Sequence, residues 1–280
     1  MPWLRPSPGV SFHGLLLPGR RLHRRRERMN ESNLRLEVAV DSPDGLMAAI
    51  EGGADRIELC SSLALGGLTP SHGLMALAAE APMPVRVMIR PREGAFVYSD
   101  ADRATMMRDI DVVRTLRLAG IVMGANDANG GLDLEFLSDL AARAQGINCT
   151  LHRSVDLMPD PRLAVDQAIA LGFSTILTSG GANTAMQGLE NIAAMRTRAG
   201  ARIEIMAGGG VTPDNAQLIV RQTGIHWLHS SCATPTESVD KRAKTFGFEA
   251  PMTKTTSSER VRELMTALRL MDDAHPTNGA

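Results

Sequence analysis

From Leu34 onward the chain repeats one pattern. Short runs rich in Val, Ile and Leu, each closed by polar, glycine or charged residues, alternate with segments of helical spacing. Eight runs read as strands: Leu34–Val40, Asp55–Leu59, Val85–Ile89, Gly120–Met123, Asn148–His152, Ser174–Thr178, Arg202–Met206 and Ile225–His229. Several show little period-2 alternation, which is the mark of strands buried on both faces. Ser42-Pro43, Thr69-Pro70, Asp160-Pro161 and Thr212-Pro213 each set a capping side chain before a proline at the first helical position. Gly52-Gly53, Gly120, Gly146 and Gly172 stand where helices should stop. A last helix is expected after the capping box Thr256-Ser257-Ser258-Glu259, from the spacing of Val261, Leu264, Met265, Leu268 and Met271. A long loop through Pro235 and Pro251 would lead to it from the last strand.

Strand–helix alternation implies right-handed crossovers and a parallel sheet. An open doubly wound sheet shares the alternation, but eight units in roughly 240 residues match the size of the closed form. The chain is therefore expected to be an α/β protein, a single-domain TIM (β/α)8 barrel over residues 33–273, with a flexible tail over 274–280. Residues 1–32 stand outside the rhythm and carry the run Arg20-Arg21-Leu22-His23-Arg24-Arg25-Arg26. They read as a disordered Arg-rich extension, or as an upstream start with Met29 as the initiator. An organelle transit peptide and a nucleic-acid arm are the alternatives.

Charge narrows the function classes. Thirty basic residues face 31 acidic ones, so no basic nucleic-acid surface is expected. No apolar run reaches the ~20 residues that span a bilayer. The three cysteines, Cys60, Cys149 and Cys232, are odd in number and far apart, which points to a reducing compartment rather than a disulfide framework. Lysine occurs only at Lys241, Lys244 and Lys254, which argues against a Schiff-base lysine at a strand end. Walker, dinucleotide-binding and zinc-binding motifs are missing from the sequence.

Such a barrel works at the C-terminal ends of its strands, and the chemistry-bearing residues collect there. Ala207-Gly208-Gly209-Gly210-Val211-Thr212-Pro213 follows strand 7, and His229-Ser230-Ser231 closes strand 8. Backbone N–H groups and a helix N-terminus make this a candidate anion site, to which Ser179 could add a donor; a plain glycine turn is the bland reading. Arg90-Pro91-Arg92 ends strand 3 and presents two guanidinium forks suited to a carboxylate or phosphate. Its alternative is a salt-bridge network with Glu37 or Glu58. Glu37 and Glu58 interrupt apolar runs. A buried carboxylate either pairs, here with Arg90, Arg92 or Arg153, or works as an acid or base with a shifted pKa. His152-Arg153-Ser154-Val155-Asp156 closes strand 5. His152 is a candidate proton carrier with Asp156 as its orienting group, or a satisfied structural histidine.

The segments Glu58-Leu59-Cys60, Gly66-Gly67-Leu68-Thr69-Pro70-Ser71, Ile89-Arg90-Pro91-Arg92, Phe96-Val97-Tyr98-Ser99-Asp100, His152-Arg153, Leu177-Thr178-Ser179-Gly180, Met206-Ala207-Gly208 and His229-Ser230-Ser231 resemble, in order, those of the CutC family, named for copper homeostasis. The resemblance implies a cytoplasmic TIM barrel that assembles as a homodimer or homotetramer and is associated with copper. Some relatives carry a cysteine pair in strand 1, where this chain has Ala39 and Val40. Cu(I) favours thiolate and thioether ligands, so Cys60 and Cys232 with His229 are the candidate metal ligands, and Met123 and Met206 further sulfur donors. Isolated Cys and Met are also ordinary core filling.

Two functional readings follow. One is copper binding through Cys60, Cys232 and His229. The other is an enzyme or sensor for a small anionic, phosphorylated metabolite. There Arg90, Arg92, Arg153, Ser179, Gly208, Gly209, Ser230 and Ser231 would hold the anion, and Glu37, Glu58, His152 and Asp156 would serve proton transfer of an isomerase or lyase type.

Overall fold

A computed structural model describes residues 34–237, 240–248 and 253–274. The Arg-rich extension, Pro251 and the tail beyond Ala274 lie outside the described residues. Eight strands carry the fold: β1 (Arg35–Val40), β2 (Arg56–Leu59), β3 (Val85–Met88), β4 (Gly120–Met123), β5 (Asn148–Leu151), β6 (Thr175–Thr178), β7 (Glu204–Ala207) and β8 (Trp227–Ser230). Each lies within or beside the stretch its apolar run predicts. They pair in parallel in chain order, and β8 returns to β1 with Leu36 opposite Leu228 and Glu37 opposite His229. The sheet is a closed barrel.

Around it run α1 (Pro43–Gly52), α2 (His72–Ala78), α3 (Asp100–Thr115), α4 (Leu134–Arg143), α5 (Ala164–Ala170), α6 (Leu189–Ala199), α7 (Pro213–Thr223), a short α8 (Lys241–Thr245) and α9 (Ser258–Ala274). Outward strand residues such as Leu36, Val38, Ile57, Leu59, Ile121, Ile176 and Ile205 are fully buried in one apolar cluster with Leu46, Met106, Ile110, Leu137, Ile192 and Ile219 from the helices. Val261, Leu264, Met265, Leu268 and Met271 of α9 belong to the same cluster. Gly52 lets α9 close on α1, because a Cβ there would sit 2.3 Å from Val261 Cβ.

Charged and polar side chains cross the inside of the barrel. Arg86 of β3 donates to Thr150 Oγ1 on β5 and, at 2.9 Å, to Thr175 Oγ1 on β6. Arg56 of β2 reaches Met206 Sδ on β7 at 3.3 Å. None of these strands is adjacent to its partner, so the contacts cross the interior.

Four local expectations change. Thr69 does not cap α2: its hydroxyl accepts from Arg90 N at 3.0 Å, and Ser71 caps the helix through Leu74 N. Gly120 ends no helix. It opens β4, where a Cβ would stand 2.7 Å from Arg86 Cγ, so its missing side chain makes room for that arginine. The N-cap of α9 is Ser257, whose hydroxyl accepts from Arg260 N; Thr256 is drawn into a strand, so the expected capping box does not form. Finally, the long loop is partly structured: β9 (Ala233–Thr236), which holds Pro235, pairs antiparallel with β10 (Thr253–Thr256) beside the barrel mouth.

Candidate functional site at the barrel mouth

The C-terminal ends of the strands surround a cavity of about 770 Å³. Glu58, Arg90, His152, Arg153, His229 and Cys232 all line it, together with Gly209, Ser230 and Ser231. Lys254 and Arg260, from β10 and α9, line it too.

On one side a chain of charges runs through the wall. Arg56 donates from Nε to Glu37 Oε2 and lies with its guanidinium 3.8 Å above the Trp227 ring. Glu37 Oε1 is 2.9 Å from His229 Nδ1, and His229 Nε2 is 3.7 Å from Glu58 Oε2. Cys60 Sγ stands 3.6 Å from the same Glu58 oxygen. Glu58 Oε1 is buried and has no hydrogen-bond partner among the described residues. Burial works against ionised Glu37, but Arg56 and His229 hold it well below the usual carboxylate range. Burial raises Glu58; His229 opposes this and Glu37 adds to it. Burial likewise works against a charged His229, yet Glu58 and Glu37 outweigh it and raise its pKa. The outcome is a fixed anion at Glu37 and a Glu58–His229 pair that retains a proton. Gly208 permits the packing, since a Cβ there would stand 2.6 Å from Leu177 Cδ1 and 3.3 Å from His229 Cβ.

The other expected residues are placed differently from their sequence readings. Arg90 pairs with neither Glu37 nor Glu58. It donates to the carbonyls of Leu65, Gly67 and Gly94 at 2.8, 3.0 and 3.1 Å. Arg92 donates to Asp102 and to the carbonyls of Glu93, Ala95 and Val97. Arg92 therefore shapes the 93–98 loop, and Arg90 ties that loop to the 65–67 turn. Asp156 does not orient His152. It accepts from Arg153, Thr178, Ser179 and Gly181 and ties the end of β5 to the end of β6. Arg153 and Ser179 are held in that same knot, at 2.6 Å from one another. Ser230 donates to Val211 O and accepts from Cys232 N, so its hydroxyl is occupied. His152 is buried, accepts from Ser154 N on Nδ1 at 3.2 Å, and packs 4.7 Å from the Phe96 ring. Burial first, then Arg90, push its pKa down to about 3.

The expected set of Cys60, Cys232 and His229 does not assemble as a metal grouping. Among the described residues, the side chains placed to share a cation are Glu37, Glu58 and His229, whose ligand atoms lie within 4.8 Å of one another. Two carboxylates and an imidazole are hard-to-borderline donors, poorly matched to Cu(I). The cysteines are all unpaired and buried, and burial pushes the Cys60 thiol well up. Met123 is fully buried in the apolar core.

Sequence reasoning missed Arg56, Arg86 and Trp227. The signal was present: Arg56-Ile57-Glu58-Leu59 and Val85-Arg86-Val87-Met88 alternate with period 2, which sets Arg56, Glu58 and Arg86 on the same, inward side.

A closed parallel barrel with a charged cavity at its strand ends defines the class, a TIM barrel with its site in the usual place. The sequence pattern of the CutC family matches residues 34–234, and the chain belongs to that family. A family protein CutC from Caulobacter vibrioides is 49% identical over 245 residues, covering 87% of this chain and 100% of its own length. One from Rhizobium meliloti is 48% identical over 237 residues, 85% of this chain and 97% of the relative. Among solved structures, CutC from Streptococcus agalactiae, named for copper homeostasis, superposes with a TM-score of 0.68 at 35% identity, over 71% of this chain and 98% of that one. Thiamine phosphate pyrophosphorylase from Pyrococcus furiosus shares the fold alone, at 16% identity and a TM-score of 0.52.

Proposed function

We propose that the barrel mouth binds a small anionic metabolite and that Glu58 exchanges a proton with it, beside a His229 imidazole that the Glu37 carboxylate holds in place. The observation that carries this reading is the orphaned Glu58 Oε1: a buried carboxylate oxygen on a cavity wall with no partner among the described residues. An unmet acceptor in a buried position costs about 1–3 kcal/mol, a penalty that a ligand hydrogen would relieve. The adjacent imidazole can pass a proton to and from the same group. Positive charge at the rim comes from Lys254 and Arg260, and the Gly209–Gly210 turn leads into α7. The anion would lie there rather than on Arg92 and the terminal nitrogens of Arg90, which donate largely to loop carbonyls. Thermal denaturation against a panel of phosphorylated and carboxylated metabolites tests this, since a ligand that binds only the folded form raises Tm. A Glu58→Gln variant should keep the fold and lose any turnover of the ligand found. A flat panel would remove the reading.

A second reading, copper handling in a cytoplasmic homo-oligomer, is favoured by the family's name and by the cysteine that stands beside the grouping of Glu37, Glu58 and His229. Cys60 is the sulfur donor beside that grouping, and Cys232 lies on the same cavity wall. It predicts tight Cu(I) binding that is lost in Cys60→Ala or Cys232→Ala. Unchanged affinity in both variants would remove it. Among the described residues no helix is long and apolar enough to cross a membrane.

A further inference from the structure

His152 stands on the cavity wall away from the charged chain of Glu37, His229 and Glu58, and proton transfer at Glu58 does not use it. Its geometry assigns it a different role. The backbone N–H of Ser154 donates to Nδ1, so that nitrogen carries no proton. In a neutral imidazole the proton must then sit on Nε2. Burial and the nearby Arg90 charge keep the ring neutral, with a pKa of about 3. Nε2 is thus an N–H donor, and among the described residues it has no acceptor. The residue is only 3% exposed and Nε2 itself is buried, so bulk water does not satisfy it.

The surroundings hold this donor still. A Cβ on Gly124 would stand 2.4 Å from Nδ1 and 2.3 Å from Ser154 Oγ, so glycine at that position is what lets the ring settle on the Ser154 amide. The Phe96 ring packs against the imidazole at 47°, with centroids 4.7 Å apart, and lines the same cavity. The Arg90 guanidinium lies 5.0 Å from the same Phe96 ring, and its Nε is a second buried donor without an acceptor among the described residues. A rigid neutral N–H beside a fixed cation is the arrangement that suits an oxygen carrying or developing negative charge.

We infer that His152 Nε2 is a fixed hydrogen-bond donor for a planar ligand oxygen, a carbonyl, carboxylate or enolate, within the same cavity where Glu58 handles the proton. The inference rests on the ligand-pocket reading above and narrows its substrate class to carbonyl or carboxyl compounds. It also changes the role of His152, from a carrier of protons to a group that holds its own.

The test uses the full chain with 15N-labelled histidine and two probes. These are 2-phosphoglycolate, which carries a planar carboxylate, and glycerol 3-phosphate, which has the phosphate without it. Long-range 1H–15N spectra of the free protein should show His152 with its hydrogen on Nε2; a hydrogen on Nδ1 overturns the inference at once. 2-Phosphoglycolate should bind at least about tenfold more tightly than glycerol 3-phosphate, one factor of ten being about 1.4 kcal/mol, and should move the His152 Nε2 resonance. His152→Phe should abolish that preference, and His152→Gln, which restores an N–H near the same place, should recover part of it. If both probes bind alike and the Nε2 resonance stays put, this inference falls and the pocket reading stands. If neither binds, both fall. The wild-type spectra decide the matter even if a variant does not fold.

Discussion

His229 Nδ1 lies 2.9 Å from Glu37 Oε1, across the seam where β8 closes against β1. The two residues are 192 positions apart and directly opposite in register. Closure of the barrel and assembly of the site are therefore one event: until the last strand pairs with the first, Glu37 has Arg56 but not its imidazole.

Removing the Glu37 charge should be costly. Glu37→Gln leaves Arg56 buried with no anion beside it, and an uncompensated buried charge typically costs about 3–5 kcal/mol. For a domain of this size that corresponds to a fall in Tm of about 6–20 °C, measured by calorimetry. The double variant Glu37→Gln with Arg56→Met should recover part of the loss, because no lone charge remains.

Acid should weaken the fold through His152. Its folded pKa of about 3 lies below the ordinary value of 6.5, so between those values the unfolded chain binds the extra proton. Stability attached to this residue is complete above pH 6.5 and falls as pH drops toward 3, by at most about 1.4 kcal/mol per unit. Denaturant titrations at pH 7, 6 and 5 should show this slope in the wild type and a shallower one in His152→Gln. The loss linked to Glu37, whose pKa is lowered, begins below its ordinary 4.5 and so lies outside the pH 7 to 5 range of these titrations.

Alkali should act through His229 in the opposite sense. Its folded pKa is raised above 6.5, so its contribution is present in full below 6.5 and is lost as pH rises through the folded value. Stability should decline from about pH 7 upward by at most about 1.4 kcal/mol per unit. His229→Gln should be less stable at pH 6.5 but flat over that range. A wild-type profile equally flat above pH 7 would contradict the ion-pair geometry.

Gly120→Ala should disrupt the barrel interior. The new Cβ would meet Arg86 Cγ at 2.7 Å and the Asn148 carbonyl at 2.8 Å, and the second of these is backbone and cannot swing away. Overpacking of this kind costs about 1–3 kcal/mol, read as a fall in urea midpoint. The same change at Gly130, where nothing lies within 4 Å, lacks the steric clash and carries only the strain of its φ of +83°. A larger loss at Gly120 than at Gly130 would show that the close contact outweighs the backbone strain.

Much of the architecture was legible because strands buried on both faces must be apolar outside and the chain must turn between them. The runs ending at Val40, Leu59 and Thr178 mark β1, β2 and β6 to within a residue or so. Placing Glu58, His152 and His229 on one cavity also followed, since parallel strands deliver all their C-terminal ends to one side. What the sequence left open was partner choice. Arg90 and Arg92 read as anion forks, yet they spend their donors on loop carbonyls. Asp156 is near His152 in the chain, but bonds Ser179 and Thr178 instead. Glu37 found its arginine two strand positions from Glu58, at Arg56, where the inward alternation of a four-residue strand is easy to overlook.

The amino-acid order by itself determined the number of barrel strands, their direction and the end of the barrel where the chemistry gathers. These depend on hydrophobic period, capping residues and glycines, all of which act over a few neighbouring positions. Only the tertiary structure decided that Glu37 is a fixed anion, that Glu58 keeps an unmet oxygen, and that His152 holds its hydrogen on Nε2. Those properties are set by burial and by charges that arrive from strands far apart in the chain, and the energy of a buried charge depends on every group within a few ångströms of it, whichever strand supplies that group.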